Sequence, residues 1–113
     1  MGCLFCDIAS GKIPSRQVHD DERCIAFEDI HPQAPTHVLV VPREHLATLN
    51  DASESHEALL GHLVGVASRL ARTRGLAEDG YRLVMNCGEW AGQSVFHLHL
   101  HLLGGRRFRW PPG

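Results

Sequence analysis

The sharpest alternation in the chain is "VFHLHLHLL", residues 95–103, where apolar and polar residues exchange at nearly every step. That is the period of a strand with two unlike faces. Phe96, Leu98, Leu100 and Leu102 take one face; His97, His99 and His101 take the other. "HVLVVP" is apolar and β-branched, which predicts a buried strand ended by Pro42. "YRLVMN" predicts another strand, and "RQVHDDERCIAFED" two short ones around a polar turn at residues 20–22. "SESHEALLGHLVGVASRLARTRG" switches to the helical period, with Leu59, Leu60, Leu63, Val64, Ala67, Leu70 and Ala71 as one stripe. Asp51 or Ser53 can cap its start and Gly75 can end it. "CLFCDIASGKIP" predicts a short helix over residues 4–10, closed by Gly11 and Pro14. "DIHPQAPT" reads as a loop and "REHLATLND" as a short helical turn. Together these predict an α+β fold: one domain over residues 1–113, with an antiparallel sheet of about five strands, one long helix and a short N-terminal helix. The leucine face meets the long helix, which frees the histidine face to floor a cleft.

Composition narrows the class. The 113 residues are 43% hydrophobic and 21% charged, as in an ordinary globular protein, and the formal net charge of −2 offers no bulk attraction for nucleic acid. Arg106, Arg107 and Arg109 read as a solvated or interface stretch. No apolar run approaches the roughly 20 residues that span a bilayer. The start lacks a basic region followed by an apolar core, so no signal peptide is expected and the cytoplasm is the expected compartment. There Cys3, Cys6, Cys24 and Cys87 should be thiols or metal ligands, not disulfides. Nine histidines in so short a chain point to titrating or ligating work, although His19 and His56 read as surface residues.

Alternate residues on a strand lie roughly 7 Å apart, so the three imidazoles can share a ligand. Two chemistries fit. Two of them with a neighbour such as His37 could bind a catalytic zinc. Alternatively one imidazole is a nucleophile, with one nitrogen bare and the other held by a carbonyl near His101, beside a phosphate. The preceding turn "GEWAGQS" favours the second, because Gly88 and Gly92 let backbone N–H groups approach an anion and Ser94 adds a hydroxyl.

"HLHLHLL", with "DIHPQAPTHVLVVP", "GYRLVMN", "GQSVFHLHLHLLGGR" and the terminal "WPPG", resembles the histidine triad (HIT) superfamily, in its purine nucleoside phosphoramidase branch. The resemblance implies hydrolysis of a purine nucleoside phosphoramidate of the AMP–amine type through a nucleotidyl-histidine. It implies His99 as nucleophile, His101 orienting it through its backbone carbonyl, and His37 and His97 as flanking support. Ser94 would contact the phosphate or leaving nitrogen, and Asn86, Gly92 and Gln93 the phosphate region. Asp29 would hold the ribose hydroxyls, and Phe27 and Ile30 the purine. It also implies a homodimer in which Trp110, on the proline-braced tail, approaches the partner's site. Two alternatives are a dinucleoside polyphosphate hydrolase of another branch and a nucleotide-binding scaffold with weak catalysis.

Cys3 and Cys6 form a C-x-x-C, open on its own to a redox pair, two buried thiols or half a zinc site. No thioredoxin-like βαβ context surrounds it. Other HIT branches place such a pair with two histidines around zinc, which implies a structural zinc on Cys3, Cys6, His45 and His97, and no catalytic cofactor. The phosphoramidase branch usually lacks these cysteines, and it more often has serine where this chain has His31.

Overall fold

The computed structural model describes residues 2–113. A short helix α1 (Leu4–Ala9) leads into strands β1 (Gln17–Asp20), β2 (Cys24–Glu28) and β3 (Thr36–Pro42). The long helix α2 (Glu57–Thr73) precedes β4 (Tyr81–Val84) and β5 (Leu100–Gly104). The sheet order is β1-β2-β3-β5-β4, antiparallel throughout.

The central strand β3 is buried along its whole length because both of its faces are covered. Val38 and Val40 join Cys24, Ala26, Leu98, Leu100 and Leu102 beneath Leu63, Val66, Ala67 and Ala71 of α2. Leu39 and Val41 turn the other way, with Ile25 and Phe27, and meet Phe5 and Ile8 of α1. The strand period thus assigns even positions of β3 to the α2 side and odd positions to the α1 side. The triad segment obeys the same division: its leucines enter the α2 core, and the ring of His99 stands edge-on to Phe5 of α1.

Three expectations need adjustment. The last strand starts at Leu100 instead of residue 95, because its ladder with β3 ends at the pair Val40–Leu100. Beyond it lies Pro42, which has no N–H to extend the ladder and whose carbonyl accepts from His97 Nε2 at 2.8 Å. Leu98 still reaches the α2 core ahead of the ladder, but Phe96, two residues earlier, is 48% exposed. On α2 the buried stripe runs through Val66, while Val64 faces outward. The helix begins at Glu57, after two single 3₁₀ turns, Leu49–Asp51 and Glu54–His56, so neither Asp51 nor Ser53 caps it directly. Gly75 does end it, with φ +74.

Candidate functional site

On the α1 side of the sheet lies a cavity of about 1020 Å³. Its walls are apolar where Phe5, Ile8, Ile13, Phe27, Leu39 and Val95 line it, and its polar groups include Asp29, Ser94, His99 and His101. This is the size and character of a site for a flat ring carrying a charged group.

The tautomers of the imidazoles follow from backbone partners, which can only donate or only accept. The N–H of Gln33 donates to His37 Nδ1 at 3.0 Å, so the proton of neutral His37 sits on Nε2. That Nε2–H faces His101 Nδ1 at 2.9 Å, with Asp29 Oδ2 at 3.4 Å. His101 therefore carries its own proton on Nε2. His99 Nδ1–H donates to the carbonyl of His97 at 2.8 Å, which leaves the Nε2 lone pair bare. The accepting carbonyl belongs to His97 and not, as the resemblance implied, to His101. His101 lies in the ladder opposite Leu39 and Val84, whereas His97 precedes β5, where its carbonyl is open to the ring two residues on.

Burial lowers the affinity of His37, His97 and His99 for a proton. His101 is driven furthest, from 6.5 down to about 4, first by burial and then by the neighbouring His99 and His37. A depressed folded-state value means that the unfolded chain binds the proton more tightly. The stability tied to neutral His101 is therefore whole above pH 6.5 and is lost as pH falls toward about 4. Urea unfolding at pH 7 and pH 5 should show this: the wild type is expected to lose on the order of 1–2 kcal/mol more than His101→Gln. Equal losses in the two proteins would contradict the assignment.

The other residues expected at the site separate into two groups. Asp29, Phe27, Ile30, Ser94, His99 and His101 line the cavity, and Ile30 stands 86% exposed at its rim with the exposed His31. Gln93 is buried and fully engaged: its Oε1 accepts from Gly88 N–H, and its Nε2 donates to the carbonyls of Ala47 and Val95. It braces the turn below Ser94. Gly92, at φ +93, supplies the left-handed residue that closes the same turn. Asn86 and Trp110 are outside the cavity lining, and Trp110 is 83% exposed. The α1 contributions, Phe5 and Ile8, were not anticipated as site residues. Their i, i+3 spacing was the available signal. Gln33 carries no such signal, because it acts through its backbone N–H.

A second group gathers beside the first. Cys3, Cys6, His45 and His97 bring one donor atom each to within 4.8 Å of one another. Cys3 Sγ and Cys6 Sγ lie 3.2 and 3.4 Å from His97 Nδ1, and His45 Nδ1 lies 3.4 Å from Cys6 Sγ. Cys3 is also the N-cap residue of α1. The Pro42 carbonyl holds the proton of His97 on Nε2, so its Nδ1 lone pair points into the cluster. Burial and the adjacent Cys3 push the Cys6 thiol up to about 11, an effect that a bound cation would reverse. Two sulfurs and two imidazole nitrogens are a donor set suited to tetrahedral zinc. Because His97 turns to these cysteines, the strand histidines do not converge with His37 on a single point. The donors gathered at His37 are Asp29 and His101.

The HIT domain family model matches residues 10–108. The chain belongs to the HIT family. A purine nucleoside phosphoramidase of Escherichia coli K12 is 50% identical over 103 residues, 91% of this chain and 87% of that protein. An uncharacterized HIT-like protein of Synechococcus elongatus is 49% identical over 110 residues, covering 97% of this chain and 96% of its own. Among solved structures, a HIT family hydrolase from Legionella pneumophila Philadelphia 1 superposes with a TM-score of 0.97 at 52% identity, over 99% of this chain and 100% of that one. The chain shares its fold along nearly its whole length with that HIT family hydrolase.

Proposed function

We propose that the chain is a single-domain nucleoside phosphoramidase, and that His99 becomes nucleotidylated at Nε2 during turnover. One observation carries this reading: a buried imidazole whose Nδ1–H is held by the His97 carbonyl and whose Nε2 faces a cavity of nucleotide size. Attack forms a bond between Nε2 and the α-phosphorus as the P–N bond of the substrate breaks. The amine departs with the electron pair and takes a proton from solvent on the side of Ser94. Water then attacks the same phosphorus, the electron pair returns to Nε2, and the nucleoside monophosphate leaves. His101 Nε2–H serves the phosphoryl oxygens, and the hydrogen bond from His37 fixes its tautomer. Phe27 and Ile30 hold the base and Asp29 the ribose hydroxyls, since a carboxylate accepts from hydroxyls but repels phosphate. The 50% identity to a purine nucleoside phosphoramidase supports the purine and the P–N bond as the preferred chemistry.

Zinc on Cys3, Cys6, His45 and His97 belongs to the same reading, in a structural role. It would fix the ring of the residue whose carbonyl orients the nucleophile. The exposed Trp110 suits a tail that reaches a second copy, so the working form is read as a homodimer. Among the described residues no helix is long and apolar enough to cross a membrane.

The test is mass spectrometry of protein quenched during turnover of an adenosine phosphoramidate. An AMP adduct on the peptide carrying His99 is expected. Turnover with no adduct on any histidine would refute the covalent route, and binding of AMP without turnover would leave the scaffold alternative in its place.

A further inference from the structure

A different group of side chains lies on the opposite side of the sheet, against α2, and takes no part in the chemistry above. His19 is the penultimate residue of β1, Asp21 sits in the turn after the strand, Cys24 opens β2, and His62 comes from the second turn of α2. His19 Nε2 and His62 Nε2 converge on the same oxygen, Asp21 Oδ2, at 2.6 and 2.7 Å. The Cys24 sulfur lies 3.6 Å from that oxygen. All four donor atoms fall within 4.8 Å of one another. The other carboxylate oxygen, Oδ1, accepts from the backbone N–H groups of Arg23 and Cys24 at 2.7 and 2.8 Å. The turn itself therefore aims Oδ2 at the histidines.

We propose that His19, Asp21, Cys24 and His62 form a second zinc site, which staples the β1–β2 turn to α2. The donors are two imidazoles, a carboxylate and a thiol, a borderline set that suits zinc and disfavours magnesium or calcium, which prefer all-oxygen shells. His19 and Asp21 are 28% and 27% exposed at their side chains, and His62 17%, so an ion reaches the group without unfolding. Cys24 is wholly buried and closes the inner side.

Loading rearranges protons in a defined way. The Arg23 guanidinium donates to His62 Nδ1 at 3.1 Å, which places the His62 proton on Nε2. To ligate through Nε2, both histidines move their proton to Nδ1, and Arg23 releases His62. The Cys24 thiol, held protonated by burial and the nearby Asp21, loses its proton to solvent. The ion thus takes the place of the two protons now shared with Asp21 Oδ2.

The site is tested on the full chain with zinc alone, independently of any activity. Protein stripped with a chelator is dialysed against micromolar zinc, and bound metal is counted for wild type and for His19→Ala/His62→Ala. The wild type is expected to hold one ion per chain more than the double variant, whatever the Cys3–Cys6 cluster holds. In a Cys3→Ser/Cys6→Ser background, added zinc should raise Tm by roughly 5 °C or more. That rise should vanish when His19 and His62 are also replaced. If the first background fails to fold, cobalt(II) added to the wild type serves instead, and visible absorption bands should weaken in His19→Ala/His62→Ala. Equal metal counts in wild type and a folded double variant would overturn the proposal and leave the group as a hydrogen-bonded clasp.

Discussion

His99→Ala is expected to lower kcat for an adenosine phosphoramidate by at least roughly 10³-fold, while AMP still binds with an affinity within about threefold of the wild type. The split between rate and binding is the informative part. His99 is 7% exposed and supplies the one nitrogen on the cavity floor whose lone pair is left bare by a backbone partner. The groups read as holding the nucleoside, Phe27, Ile30 and Asp29, lie on other segments and keep their places in the variant. Removing the nucleophile therefore removes the bond-forming step and leaves the cavity walls standing. Single-turnover kinetics together with calorimetric AMP binding measure both quantities. A variant that retains most of its kcat would show that the bond is cleaved by direct attack of water, and the covalent route would have to be abandoned.

Chelation of zinc, or Cys6→Ser, is expected to cost stability on the order of 3–5 kcal/mol and to reduce kcat as a consequence. The cluster ties α1 to the segment leading into β5 through side chains 94 residues apart in the chain, Cys3 and His97. Losing that tie frees Phe5, whose ring stands edge-on to His99 with centroids 5.0 Å apart, and loosens the His97 carbonyl that sets the His99 tautomer. Thermal unfolding of stripped and zinc-restored protein, with metal analysis on the same samples, checks this. An unchanged Tm after complete stripping would mean that the four side chains hold together without an ion. Comparing Cys6→Ser with His97→Ala adds a second check, because only the latter also removes the hydrogen bond to Pro42.

Much of the architecture was legible because it depends on local periodicity. The alternation of "HLHLHLL" placed Leu98, Leu100 and Leu102 toward the long helix and the histidines on the other face, and they lie so. The errors fall where neighbours override the pattern. Phe96 has the right parity for the core, but it lies four residues before the start of β5 and stays half exposed, whereas Leu98, two residues nearer, is buried under α2. Val64 and Val66 exchange roles on α2 because the centre of the buried stripe depends on how the helix rotates against the sheet. The resemblance put Gln93 at the phosphate region, and its amide is engaged by the Gly88 N–H and by the carbonyls of Val95 and of Ala47, 46 residues away. Cys3, Cys6, His45 and His97 were grouped by resemblance, and the fold brings them together.

The sequence by itself determined which residue types face which side of the sheet, since a strand's two-residue period is set by its own backbone and needs no partner. It also determined the family, through motifs spread along nearly the whole chain. Only the tertiary structure decided the protonation pattern of the site. That pattern rests on the Gln33 N–H at His37, the Pro42 carbonyl at His97 and the His97 carbonyl at His99. All three partners are backbone groups that their own side chains do not announce, and one is 55 residues away from the ring it holds. The convergence of His19, Asp21, Cys24 and His62 has the same origin, because α2 brings His62 across 41 residues to the oxygen that the turn had already aimed.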